Sequence, residues 1–359
     1  MILLVMVVES WLNRHDRMYR AIIPSCYRFA RQMAEREGPQ NDVLGFGDSL
    51  MKFGFVPKVI RKGTGRKTYN LAIVGGQPPA SYAALRQALD AGAKPSAIVF
   101  DCKANILSTD FQVNRDNVSD LFELRDALDV AWTSHDASFF ASVAIDRTLN
   151  SARRRVEVRS AVLRAFRGEK ESPWTKVGPY LRNAIVNQGA FINPKSRFDG
   201  RITPNLKHVY LPKTWTPDRL NSIYVRRFLT LAESRGIPVY WVVPPISPKV
   251  QELREQAGLD KQFLQFVWKM QRHHANLIVI DGRHSGYPHT LFDDPVHLSG
   301  DGAASFSAGV AEVLHHDLGE PAEQVRWIPL PPYRPVAIAL ENLDQSKQVV
   351  GRASDRRRR

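Results

Sequence analysis

Groups drawn from distant parts of this chain could together carry out acyl transfer through a serine. The stretch "GFGDSL" places Ser49 directly after a short apolar run, residues 43–46. A serine hydroxyl is a weak nucleophile until an adjacent base takes its proton. "DDPVHLS" supplies that base in His297, with Asp294 three residues earlier. Folded as one turn, this spacing brings carboxylate and imidazole to the same side, where the acid fixes the tautomer and stabilises the imidazolium. The oxyanion that forms during acyl transfer needs preorganised donors. The N–H groups of Ser49 and of Gly75 (in "NLAIVGG") and the amide of Asn105 (in "KAN") are the candidates. At Gly75 the missing Cβ allows close approach of the backbone. Each residue also has a plainer role open to it. Ser49 suits a helix N-cap, Gly75 a turn, and His297 the entry to a helix capped by Ser299 or Asp301. Asp294 suits a loop carboxylate, with Asp293 as the alternative acid. Asp48 is expected to bond the turn around Ser49 rather than to react.

Those groups need a scaffold that delivers them to one edge. Apolar runs of strand length at 43–46, 68–74, 97–102, 238–243 and 277–281 alternate with helix-length segments at 79–91, 217–235, 248–274 and 301–315. The alternation predicts an α/β three-layer sandwich with a parallel sheet covered on both faces. Ligands of such sheets bind at the carboxyl ends of the strands, and every candidate group follows a predicted strand. Residues 107–215 are too long for a structureless loop and read as an inserted, mostly helical cap. Helices are expected there at 117–129 and 147–166, then a stretch punctuated by Pro173, Pro179, Pro194, Pro204 and Pro212. Residues 1–38 read as a helical segment interrupted by Pro24, and 39–320 as the α/β domain. Residues 321–359 read as a Pro-rich and then basic tail, disordered from 344 onward.

With 43% hydrophobic and 24% charged residues among 359, the composition is that of a globular chain. The net charge is +14, concentrated partly in Arg153-Arg154-Arg155 and Arg356 to Arg359. Such a balance fits anionic partners. No nucleic-acid-reading motif accompanies it, so a solvated basic face and no nucleic-acid partner are expected. Two cysteines, Cys26 and Cys102, exclude a disulfide framework, and without CxxC or paired-histidine spacing no metal or other cofactor is expected. The opening "MILLVMVV" is shorter than the about 20 residues that span a bilayer and lacks the flanks of a signal peptide. It is either the start of a buried element or the end of a membrane anchor.

"GFGDSL", "NLAIVGG", "KAN" followed by "ILSTD", and "DDPVHLS" resemble, in order, the four blocks of the SGNH/GDSL hydrolase superfamily. The resemblance covers roughly residues 40–110 and 236–315 and implies a flavodoxin-like α/β fold and a serine ester hydrolase or O-acyltransferase without cofactor. By motif position it implies Ser49 as nucleophile, His297 and Asp294 as base and acid, and Ser49, Gly75 and Asn105 as oxyanion hole. Block three departs from the family: Lys103-Ala104-Asn105-Ile106 stands where Gly-x-Asn-Asp is usual. Lys103 is expected to point to solvent, the alternative being a positive charge near the oxyanion. The large insertion looks more like the membrane-associated SGNH-like proteins of bacterial envelopes, including those related to acetyltransferases of exopolysaccharides such as alginate. That likeness implies an envelope or membrane-associated location and an acetyl-type ester on a small molecule or carbohydrate. The cap's basic residues and Trp132, Trp174 and Trp215 would suit a sugar. The altered third block also fits a protein of another class, a non-catalytic binding or assembly protein that kept the fold.

Overall fold

Residues 43–46 are wholly buried, and they form the strand around which the rest is laid. The computed structural model describes residues 2–14, 21–168, 173–196, 198–203, 207, 209–318 and 326–358. Six parallel strands, β1 (Val43–Phe46), β2 (Thr68–Asn70), β3 (Ala97–Phe100), β4 (Val239–Val243), β5 (Leu277–Asp281) and β6 (Trp327–Pro329), pair in the order β2-β1-β3-β4-β5-β6. Before, between and directly after the first three strands come helices α1 (Ile2–Arg14), α2 (Ile22–Glu37), α3 (Ser49–Gly54), α4 (Pro57–Thr64), α5 (Pro78–Asp90) and α6 (Ala104–Ser108). The inserted stretch holds α7 (Leu124–Ser134), α8 (Ala137–Thr148), α9 (Asn150–Arg153), α10 (Arg155–Phe166) and α11 (Pro173–Val186). The remainder supplies α12 (Arg219–Glu233), α13 (Pro248–Gln256), α14 (Leu259–His273), α15 (Gly300–Asp317) and α16 (Leu343–Arg358).

Successive strand residues point to opposite faces, and each face is covered. Leu44, Phe46, Ile98, Phe100 and Trp241 pack with α2, α5, α12 and α14. Val43, Val99, Tyr240, Val242 and Ile280 pack with α3, α4 and α15. The chain runs to one side of β1 for β2 and to the other for β3, and the crevice at such a reversal is where doubly wound sheets bind ligands.

Several elements differ from the sequence pattern. The run 68–74 ends as a strand at Asn70, whose N–H donates to Gln188 O and whose side chain bonds Met51 O, Phe55 O and the Ala72 N–H. The segment 248–274 is two helices, broken where Gly258 takes a left-handed φ of +69°. Pro24 does not interrupt α2 but lies in its first turn, where no N–H is required. The three-residue β6 adds an edge strand that ends in Pro329, a place that tolerates the missing donor. Helix α7 begins at residue 124 rather than 117, and 147–166 is shared among α8, α9 and α10. The basic run at 153–155 is not all solvated: Arg154 is buried and, with Arg28 and Arg153, surrounds Asp120. Trp215 belongs to the core, its indole N–H donating to Ala104 O at 2.7 Å, so it offers no sugar platform. Trp132 is 80% exposed. Pro204 and the Trp174 side chain lie outside the described residues. No helix among the described residues is long and apolar enough to cross a membrane.

The segment expected to be disordered from 344 onward forms α16. Asn342 caps it reciprocally with Gln345: each backbone N–H donates to the other's side chain, at 2.8 and 3.0 Å. Glu341 forms a bidentate pair with Arg182 of α11 at 2.7 and 2.8 Å. Asn183 donates to Glu341 O and to Ser346 Oγ and accepts from the Ile192 N–H. The Leu343 N–H donates to Ile192 O, and one residue on Asn193 donates to Leu298 O.

Lys52, one turn along α3 from Ser49, is buried with its ammonium 5.0 Å from the Phe191 ring centre and 5.5 Å from that of Phe29. No hydrogen-bond partner for Nζ is present among the described residues. Burial lowers its pKa from 10.5 to about 8, against a smaller opposing effect of Cys26. Between those values the unfolded chain binds more protons than the folded one, so this group makes stability rise with pH across that window. Below it the full penalty, about 3 kcal/mol, applies. Lys52→Met is therefore expected to stabilise the protein at pH 7 by about 1–3 kcal/mol and to flatten the rise above pH 8, as read by urea unfolding at pH 7 and 9.5.

Candidate active site

The loop after β1 runs against the backbone that leaves β3. Gly47 has φ +141°, and a Cβ there would lie 2.4 Å from the Asp101 carbonyl oxygen, so only glycine lets the two loops meet. Asp48 then ties them together, its Oδ1 accepting from the Leu50 N–H at 2.8 Å and its Oδ2 from the Lys103 N–H at 2.9 Å. This is the positioning role its sequence context implies. Ser49 opens α3, is 5% exposed, and as a first helical residue has no intrahelical acceptor for its N–H.

Asp294 and His297 come from the loop between β5 and α15. That loop is closed by an antiparallel bridge between Phe292 and Leu298 and by the Asp293 N–H donating to His297 O at 2.8 Å. Asp294 Oδ1 accepts from the N–H groups of Val296 and His297 at 2.8 and 2.9 Å, and its Oδ2 lies 2.6 Å from His297 Nδ1. His297 Nε2 lies 2.8 Å from Ser49 Oγ. With Nδ1–H donating to Asp294, Nε2 is left to accept the serine proton. Burial acts to raise the Asp294 pKa, but the hydrogen bond and charge of His297, with the two N–H groups, outweigh it and hold the carboxyl below its ordinary range. Burial, and next the charge of Asp294, raise Asp293 instead, and among the described residues its carboxylate makes no hydrogen bond to His297. The Phe53 ring meets the imidazole edge-on, 5.4 Å between centres, and is itself packed on Phe191.

Lys103 does not point to solvent. Its Nζ donates to Ser49 Oγ at 3.1 Å. The backbone bond to Asp48 aims this residue back across the loop, toward the serine rather than outward. Two residues before Lys103, just past the end of β3, stands an acid. That acid, Asp101, is buried, and its pKa is pushed well above the carboxylate range by burial and then by Asp48, with Lys103 opposing. This favours a proton on Asp101, while both oxygens of Asp48 hold N–H partners.

The proposed oxyanion donors are placed less tightly. Gly75 sits at φ +69° in a turn closed by the Gly76 N–H to Ile73 O at 2.8 Å. The Ile73 N–H donates to Gly47 O, which sets this turn beside the Ser49 loop. Asn105 lies on α6 at the same rim, lining a pocket with Lys103. Among the described residues its side chain makes no hydrogen bond to Ser49 or His297. No three His, Cys, Asp or Glu side chains among the described residues are grouped to hold a metal.

Fold and site together define a parallel α/β protein with a serine, an imidazole, a carboxylate and an ammonium joined at the reversal point of its sheet. Residues 33–304 match the family described as protein of unknown function DUF1574, and the chain belongs to that family. No curated protein matches the chain.

Proposed function

We propose that the protein is a serine acyl-transfer enzyme of SGNH/GDSL type, an ester hydrolase or O-acyltransferase. What supports this reading above all is the unbroken chain of contacts from Ser49 Oγ through His297, 2.8 Å, to Asp294, 2.6 Å. In the forward step His297 Nε2 takes the hydroxyl proton as Ser49 Oγ bonds to the ester carbonyl carbon. The carbonyl electron pair moves to its oxygen, within reach of backbone donors such as the Ser49 N–H. Collapse of the intermediate expels the alcohol, which leaves with the proton from the imidazolium. Water or a second hydroxyl then repeats the sequence on the acyl-enzyme. The strand order and the two helical layers support the reading, being what a flavodoxin-like α/β architecture requires, and α7 to α11 make up the inserted stretch.

Labelling by a fluorophosphonate, read by peptide mass, tests the reading: adduct on Ser49 supports it, and intact protein without adduct sinks it. Lys103 modifies the scheme. Its ammonium meets charge as it grows on Oγ, and a hydrogen bond to a charged group contributes about 1.5–3 kcal/mol. Lys103→Met is expected to slow labelling about 10- to 100-fold; an unchanged rate would leave the lysine without a part in the step.

A further inference from the structure

We infer that the pocket beside Ser49, between the ends of β3 and β4 and helices α13 and α14, receives the acyl chain of the substrate, and that this chain is aliphatic and longer than acetyl. The inference rests on the serine acyl-transfer reading and adds the class of acyl group.

The pocket and the nucleophile share a wall. Lys103 lines the pocket while its Nζ touches Ser49 Oγ. Leu50, next to Ser49, and Val296, next to His297, line the same space. Beyond them the wall is built from Val243, Ile246, Val250 and Phe263, and the pocket encloses about 540 Å³ including its open mouth. Small-molecule sites are mostly apolar with a few fixed polar groups, and this wall has that make-up. Val250 and Phe263 lie on α13 and α14, so the apolar wall continues past the residues that adjoin Ser49 and His297.

The charged residues in the wall are matched to one another. Arg254 Nε donates to Asp260 Oδ1 at 2.7 Å and its Nη1 to Tyr210 O at 3.2 Å. Gln251 donates to Asp260 Oδ2. Arg283 is paired bidentately with Asp281 at 2.9 and 2.7 Å. These donors already hold acceptors, so the wall offers little to a sugar's hydroxyls. Asp101 Oδ2, in the same wall, is buried and lacks a hydrogen-bond partner among the described residues. Apart from Lys103 and Asn105 at the Ser49 end and Tyr210, what the pocket leaves to contact is hydrocarbon. Continuity with Ser49 makes the acyl part, held covalently on Oγ, its natural occupant.

Each methylene buried against such a wall raises binding up to about fourfold. The test uses the full chain with 4-nitrophenyl acetate, butyrate and hexanoate, and a counter-series of methyl, butyl and hexyl acetates. The expected result is kcat/KM rising roughly tenfold or more from acetate to hexanoate, with little trend along the alcohol series. Ile246, half-buried at the pocket, gives two opposing variants. Ile246→Trp is expected to lower the hexanoate-to-acetate ratio at least about tenfold, and Ile246→Ala to raise the ratio of octanoate to hexanoate. A flat or falling acyl series with Ser49 still labelled overturns the pocket assignment alone. So does a trend confined to the alcohol side, or a ratio that neither variant moves. Absence of both turnover and labelling removes the acyl-transfer reading and this inference with it.

Discussion

Ester turnover by the Ser49→Ala variant is expected to fall by about 10⁴- to 10⁶-fold. The change removes the atom on which two groups converge, leaving His297 Nε2 without its 2.8 Å partner and the Lys103 ammonium without its 3.1 Å acceptor. Residual turnover would come from the oxyanion donors and substrate binding alone. Little structural change should accompany it, since Asp48, not Ser49, supplies the side-chain cap of α3. Initial rates on an activated ester, with circular dichroism as the folding control, decide the matter. A variant within tenfold of the parent would show that chemistry takes place elsewhere.

Asp294→Asn is expected to cost of the order of 10⁴-fold, by a different route. The asparagine carbonyl can keep the N–H groups of Val296 and His297 that Oδ1 now holds at 2.8 and 2.9 Å. Its NH₂ then faces Nδ1 as a donor, so the neutral imidazole must carry its proton on Nε2 and can no longer accept from Ser49. The loop keeps its shape while the base is lost, so near-native unfolding at neutral pH alongside collapsed turnover is the signature to seek. The parent carboxylate, held below its ordinary pKa, adds stability above the unfolded Asp value and loses it as pH falls through the lowered one. The variant should lack that acid-side loss, as read by unfolding midpoints at pH 3 and 7. Turnover retained within a few-fold would free Asp294 of the orienting role.

The scaffold was legible where one physical signal dominated. Buried parallel strands are near-continuous apolar runs, and both β1 and β5 end where the pattern predicts. The groups at the strand ends were legible too, because chain order and strand ends together fix the rim. Side-chain direction was not. Whether Lys103 turns outward or toward Ser49 depends on the Asp48 bond to its backbone, a contact 55 residues apart in sequence. The break at Gly258 was a readable signal inside a segment whose flanks are both helical. At α16 the basic run suggested disorder, while the Asn342 and Gln345 pair three residues apart was a helix-start signal in plain view. Trp215 carried no mark in sequence to separate a core indole from a ligand platform.

The polar knot at Glu341 has an effect well away from α16. It fastens Asn183 and Ile192, whose neighbours Phe191 and Asn193 rest on Phe53, which meets the imidazole, and on Leu298 O, one residue past His297. The final stretch of polypeptide thus works as an outrigger for the proton acceptor. Loss of the Arg182–Glu341 pair would slacken that stay at the ring first, since neither the Ser49 hydroxyl nor the sheet is tied to it.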